Sequence, residues 1–309
     1  MIKIGTTDIK SVMLGDIEIS KVYLGTDVVY QKSEPSYENQ YLTFVALEDG
    51  AFTFTPQNSN VISYSTDGGK TWTEGNSVSV SNGDKVMWKG TMTPQSSNGI
   101  GTFSATGNFD VQGNAMSLFY GDNYKGQIDL TGKNYAFYQL FYNNTKIVNA
   151  KNLSLPATTL ANNCYRSMFE GCTSLTTAPE LPATTLAKNC CSSMFSGCAS
   201  LTTAPELPAT TMAQYCYQYM FQNCTNIVTA PELPATTLAY YCYIGMFNGC
   251  TKLNYIKAMF TTTPGTKYTK NWVNGVSASG TFVKNSTAQW NVSDANGIPS
   301  GWTVQTASS

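Results

Sequence analysis

The sequence predicts a mainly β chain with an α/β solenoid at its centre, and three observations lead there. A 26-residue phrase, LPATTLAxxCYxxMFxGCTxLTTAPE, recurs in four near-copies that begin at Leu155, Leu181, Leu207 and Leu233. Ahead of it, short β-rich runs alternate with Gly, Asn and Asp turns, and ahead of those a ten-residue repeat opens the chain. A fixed long period marks an architecture in which each unit covers its apolar face with the next. The order expected is an N-terminal β-meander (residues 1–32), a linker (33–40), a β-sandwich (41–134), the repeat solenoid (135–262) and a C-terminal aromatic cap (263–309).

The opening repeat sets Ile4-Gly5, Leu14-Gly15 and Leu24-Gly25 ten residues apart, and likewise Ile9, Ile19 and Val29. Ile17 and Ile19 alternate with Asp16, Glu18 and Ser20, which is a strand pattern, and the Gly-Thr and Gly-Asp steps read as turns. About thirty residues of meander bury no core alone, so this piece is expected to pack on another chain or on the rest of this one. Residues 33–40 are polar and contain Pro35, hence a linker. From Tyr41 to about Gly132 the runs TFVAL, AFTFT, VISYS, KTWTE, SVSVS, KVMWK, GTFSA, NFDV and MSLFY read as strands of an antiparallel sandwich. Residues 65–72, STDGGKTW, resemble the Asp-box of sialidases and many secreted β proteins. In that motif Asp67 would accept backbone hydrogen bonds in a hairpin turn while Trp72 packs beneath it, a folding element remote from chemistry.

Inside the phrase, Cys164, Cys190, Cys216 and Cys242 share one offset, Cys172, Cys198, Cys224 and Cys250 a second, and Phe169, Phe195, Phe221 and Phe247 a third. The shared Leu, Met, Phe and Cys positions are expected to point inward, each large side chain contributing about 1.5–3 kcal/mol on full burial. Cysteine spacings of eight and eighteen match no paired zinc pattern, and nine is odd for pairing. The thiols therefore read as two buried columns of free cysteine. Cys191 breaks the phrase where the other copies carry Tyr165, Tyr217 and Tyr243. Leu140-Phe141 and Asn144 align with Met168-Phe169 and Cys172 once two residues are inserted, which predicts a degenerate first unit joining sandwich to solenoid. After Cys250 the phrase decays, and Trp272, Phe282, Trp290 and Trp302 predict a closing cap.

Composition narrows the chemistry. The chain has 309 residues, a net charge of -1 and only 12% charged residues. With no Lys/Arg run to neutralise phosphates, nucleic-acid binding is disfavoured. There is no histidine, which removes the commonest general base, the commonest metal ligand and every Ser-His or Cys-His pairing. Hydrolysis by two carboxylates needs them placed across one bond, and Glu48, Asp49, Asp84, Asp110 and Asp122 are scattered. A non-enzymatic protein without metal or cofactor is the expectation. The start, MIKIGTTDIK, lacks the apolar core of a signal peptide, and no stretch approaches the roughly 18 apolar residues of a membrane helix. Membrane insertion is not expected, and the chain reads as made in the cytosol or as leaving the cell by another route.

Read from its middle, MFxGCTSLTTAPELPATTLA resembles the BspA-type leucine-rich repeat. Phe195, Cys198, Leu201, Leu207, Pro208 and Leu186 stand on that family's recurring positions, across about residues 135–260. The chain departs from it in the Met-Phe pair, in Cys190 and in a somewhat longer period. The resemblance implies a leucine-rich repeat solenoid and recognition of host or cell-surface molecules. The stretches LTFxALEDGxFTFT, YSxDGGxTW and GIGTFSATGNF, with NWVNGVSASGTFVKN and GIPSGW at the end, look like modular proteins of gut Bacteroides-type bacteria and their phages. The N-terminal LGDxEISKVYLGTxxVY repeat is similar to the start of phage virion proteins from that setting, which implies docking to other virion proteins through residues 1–32.

Positions that differ among the copies should face outward. Before the first Cys the copies read Asn162-Asn163, Lys188-Asn189, Gln214-Tyr215 and Tyr240-Tyr241; before Met-Phe they read Arg166-Ser167, Ser192-Ser193, Gln218-Tyr219 and Ile244-Gly245. Aromatics thus gather in the last two repeats, and Tyr215, Tyr219, Tyr240 and Tyr241 are the candidate ligand-binding residues, with flat faces suited to sugar or protein. The alternative is that they pack against the cap or a neighbouring subunit. The expected function is a phage virion structural protein, of fibre or of tail or head decoration type, forming a homotrimer and engaging a bacterial surface glycan or protein. The alternative location is the bacterial cell surface, as a BspA-like adhesin.

Overall fold

Alternating apolar residues form strands only where a partner strand takes up the backbone groups, and the described residues among the first 31 do this locally. The strands are β1 (Lys3–Ile4) with β2 (Thr7–Asp8), β3 (Val12–Leu14) with β4 (Ile17–Ile19), and β5 (Lys21–Leu24) with β6 (Asp27–Gln31). Each pair is antiparallel, closing at Ile4 on Thr7, Leu14 on Ile17 and Leu24 on Asp27. The ten-residue repeat is thus three separate two-stranded ribbons, and among the described residues no pairing joins one ribbon to the next into the expected meander. The structure, a computed structural model, describes these strands and residues 37–94 and 97–307. The chain divides into two compact units, residues 1–36 and 37–309.

Residues 37–40, read as the end of a linker, belong to the second unit. Asn114 donates its amide hydrogens to the Glu38 carbonyl and its backbone N–H to the Gln40 carbonyl, and Tyr124 Oη donates to the Asn39 carbonyl at 2.7 Å.

Two sheets then face each other. One has the order β10 (Thr73–Glu74), β9 (Ile62–Ser65), β12 (Lys85–Gly90), β7 (Leu42–Ala46) and β14 (Phe109–Asn114); the other has β11 (Ser77–Val80), β8 (Gly50–Pro56) and β13 (Gly101–Ala105). Phe44 on β7 meets Phe52 and Phe103 of the opposite sheet at ring separations of 5.3 and 4.8 Å, and Trp88 on β12 meets Phe103 at 5.2 Å. These edge-on contacts join the sheets through a fully buried aromatic layer.

MSLFY, expected as a strand, is instead the single helical turn α1 (Ser117–Tyr120). The Met116 N–H donates to Asn114 Oδ1, which turns the chain out of the sheet. Ser117 Oγ then accepts the Leu42 N–H and donates to the Trp88 carbonyl. A short apolar run reads alike as buried strand or buried helix, and polar ties on either side decide it here.

The 26-residue copies are stacked on the sandwich without a break in the core. From β14 the larger sheet continues in parallel into β15 (Ile147–Asn149) and β16 (Leu153–Ser154). On the other side the Phe103 N–H donates to the Leu140 carbonyl at 2.8 Å. Phe103, Phe141, Phe169, Phe195, Phe221 and Phe247 follow one another face to face, with ring separations of 5.1–5.8 Å. Phe141 thus stands one layer ahead of Phe169, in the place that the two-residue insertion assigns to it. Parallel bridges Asn149 to Thr177, Thr177 to Thr203, Thr185 to Thr211 and Thr229 to Tyr255 hold the copies in register.

All nine cysteines are free and buried. In one column each thiol donates to the phenylalanine carbonyl of the preceding copy: Cys172 to Phe141, Cys198 to Phe169, Cys224 to Phe195 and Cys250 to Phe221, at 2.9–3.1 Å. Asn144 does the same for Phe103 with its amide. Cys164, Cys190, Cys216 and Cys242 form the other column, wholly buried beside the Met and Phe rows.

The C-terminal cap contains a further copy. The Tyr243, Phe247 and Gly249 N–H groups donate to the Tyr268, Trp272 and Asn274 carbonyls, continuing the ladder used between copies. A parallel sheet of β17 (Tyr255–Ala258), β18 (Thr281–Lys284) and β19 (Thr303–Thr306) closes that side. Each cap indole is satisfied: Trp272 donates to Gly297, Trp290 to Phe260 and Trp302 to Ser277. That is what lets three large amphipathic rings cover an apolar end.

Candidate binding site

A four-residue subperiod inside each copy builds the side that carries the candidate tyrosines, although the expectation that positions differing among the copies face outward fails at Asn163, Ser167, Ser192 and Ile244, which are buried. In the first copy the N–H groups of Cys164, Arg166, Met168, Glu170 and Cys172 bond back three residues, while those of Asn163, Tyr165, Ser167, Phe169 and Gly171 donate to carbonyls of the next copy at 2.8–2.9 Å. The side chains of Cys164, Tyr165, Met168, Phe169 and Cys172 turn inward. The corner residues Asn163, Ser167 and Gly171 adopt left-handed backbone, with φ of 60°, 54° and 75°. Three rows of such corners run along the stack.

Three of the four candidate tyrosines stand on these corners. Tyr215 (φ 60°) and Tyr241 (φ 59°) occupy the row that holds Asn163 and Asn189, and Tyr219 (φ 56°) occupies the row that holds Ser167, Ser193 and Gly245. Left-handed backbone suits Gly and Asn and costs other L-residues about 1–2 kcal/mol each. Tyr240 stands beside the corner and is 38% exposed.

The structure brings the four together. The Tyr240 and Tyr241 rings lie 3.8 Å apart, Tyr215 is 5.2 Å from Tyr241 and 6.1 Å from Tyr240, and the Tyr219 ring covers Gly245. Tyr219 and Tyr241 also line a groove of about 380 Å³ with Gln222, Asn248 and Lys270. The adjacent Tyr241 hydroxyl holds the Tyr240 phenol above the ordinary tyrosine range, so it stays a neutral hydrogen-bonding group at physiological pH. Lys270 and the continuation of the corner rows to Asn271 (φ 54°) escape sequence reasoning. The signal for them is Asn274-Gly275, which repeats Asn248-Gly249 at the 26-residue offset.

Asp67 and Trp72 lie apart from this face, in the sandwich. Asp67 accepts the Lys70 and Thr71 N–H groups and the Ser65 and Thr71 hydroxyls, which hold its carboxyl well below the usual range. Trp72 donates to the Gly69 carbonyl and packs on Tyr41 at 4.8 Å, with Lys89 Nζ 4.2 Å from its ring. All of Asp67's bonds are local and close the turn.

Four of the five scattered carboxylates are likewise engaged in structure. Glu48 accepts the Asn108 N–H and amide, Asp49 the Asn82 N–H, and Asp84 the Ser81 N–H; Asp122 pairs with Lys89 at 2.8 Å and accepts the Tyr41 hydroxyl. Burial raises the Asp110 pKa, and one of its oxygens is without a hydrogen-bond partner. Among the described residues no three Cys, Asp or Glu side chains gather as metal ligands, and no helix is long and apolar enough to cross a membrane. Comparison with family profiles, with curated proteins and with solved structures finds no match to this chain.

Proposed function

We propose that the chain is a non-enzymatic virion protein of fibre or decoration type. In this reading residues 135–262 form a leucine-rich repeat solenoid of the BspA kind, and the tyrosine face engages a bacterial surface glycan or protein. Residues 1–32 dock to other virion proteins, and three copies assemble around them. The observation that carries the recognition role is the left-handed backbone of Tyr215, Tyr219 and Tyr241. Other copies of the phrase fill these corners with Asn, Gly or Ser, of which Asn and Gly take up left-handed backbone at lower cost, so partly exposed tyrosines retained there point to use rather than to folding. A scaffold of stacked copies with polar, regularly spaced corners supports the same reading, because it presents side chains rigidly without needing a deep cavity. Of the carboxylates that could have argued for hydrolysis, Glu48, Asp49, Asp84 and Asp122 are taken up in turns and an ion pair, which among the described residues leaves Asp110 without a second acid beside it to share the work.

The test has two parts on one preparation. Purified particles should contain the chain at a stoichiometric copy number by mass spectrometry, and replacing Tyr215, Tyr219, Tyr240 and Tyr241 by Ser should abolish its binding to host cells. Recovery of the chain from the bacterial envelope alone would favour the adhesin, and undiminished cell binding by the variant would remove the tyrosine face from the proposal.

A further inference from the structure

The groove between Tyr219 and Tyr241 has a chemistry of its own. It spans three successive layers of the stack, since the Tyr219 N–H donates to the Ile244 carbonyl and the Gly245 N–H to the Lys270 carbonyl. At about 4.8 Å per layer the span is about 10 Å. Its volume of about 380 Å³ lies at the small end of the ~300–1,000 Å³ typical of small-molecule sites. Both dimensions suit a short run of sugar rings better than a protein surface.

The polar side chains lining the groove are Gln222, Asn248, Asn271, the two tyrosines and Lys270, and of these Lys270 alone is charged. Asn248 Oδ1 accepts the Asn274 amide at 3.3 Å, and its own N–H₂ adds two donors. Lys270 brings three N–H donors and a full positive charge. No carboxylate lines the groove, and among the described residues Lys270 enters no ion pair. Tyr219 and Tyr241 supply flat faces whose backbone is held at a cost. Lys270 is exposed at the edge of the groove, where a ring carrying a carboxylate would gain a charge-assisted hydrogen bond that a neutral sugar would not.

We propose that this groove binds an acidic sugar, a pyranose bearing a carboxylate within a surface polysaccharide, with Tyr219 and Tyr241 against the rings and Lys270 as the counter-ion. The inference rests on the tyrosine face being the recognition surface and adds the class of ligand.

The experiment titrates the full chain with two uronic acid oligomers of different ring configuration, each also in its fully methyl-esterified, uncharged form, and repeats the series with Lys270→Met. At least one acid form should bind tenfold or more tightly than its ester, the preference should weaken with added salt, and Lys270→Met should erase it without unfolding the chain. Equal binding of acid and ester, insensitive to Lys270→Met but lost on Tyr241→Ser, would overturn the acidic ligand and keep the tyrosine face. Binding of neither form would also overturn it. Host-cell binding by the same preparation, retained and tyrosine-dependent or absent, then decides whether the recognition reading stands or falls with it.

Discussion

A side chain's identity and its backbone conformation ordinarily agree, and here several disagree, three of them on one face. Among the described residues thirteen non-glycine positions have positive φ; nine are Asn, Gln or Ser, and four are tyrosine, namely Tyr135, Tyr215, Tyr219 and Tyr241. Replacing Tyr215 and Tyr241 together by Asn, the residue of the same row in the first two copies, should leave thermal stability unchanged or raised while reducing cell binding tenfold or more. Relief of left-handed strain, about 1–2 kcal/mol per site, offsets the ring-on-ring packing that these half-exposed side chains give up. A fall in stability beyond about 1 kcal/mol with binding intact would assign the rings to packing. The tyrosines themselves are legible in the sequence because they break a repeated phrase. Their strain is not, since nothing in Gln214-Tyr215 or Gln218-Tyr219 signals the conformation that Gly171 and Gly197 betray one row away.

Elements are legible in proportion to how far their own residues decide them. The sandwich strands follow alternation, so the runs at β7, β8, β12 and β13 are close to those expected. α1 is misread because its direction is decided by Asn114, Ser117 and the distant Trp88 carbonyl. The extra copy in the cap is hidden because Trp272 and Val276 replace the Met and Cys of the phrase while only Asn274-Gly275 persists. One element depends on a single missing side chain. Gly113 in β14 has φ 81°, and a Cβ there would collide with the Tyr41 carbonyl oxygen, backbone that cannot swing aside. Gly113→Ala is expected to cost about 3 kcal/mol or more, readable as a lowered urea midpoint. A loss near the ~1 kcal/mol of an open left-handed site would mean that the strand edge yields.

Across residues 37–307 the core is continuous from Leu42 to Trp302, and its thiols make its stability depend on pH from the alkaline side. Burial pushes Cys242 and Cys250 up to about 12, and raises Cys172, Cys198, Cys216 and Cys224 as well. An unfolded thiol titrates near ~8.5. Below that pH both states are protonated and nothing is lost. Above it the unfolded chain releases protons that the folded one keeps, so each such thiol removes about 1.4 kcal/mol per pH unit until its folded pKa is reached. The urea midpoint should be flat from about pH 6 to 8 and fall steeply above about 9; a profile that stays flat to about pH 10 would show that the columns are not buried as neutral thiols. The row of rings from Phe103 to Phe247 has a consequence for heredity. Each ring meets the same neighbour above and below, so neither the sandwich nor the cap registers how many layers lie between them. Gain or loss of one coding unit by unequal recombination would yield another foldable chain, with its tyrosine corners carried about 4.8 Å farther out or nearer in. Reach would then vary from one generation to the next while the recognition chemistry stays as it is.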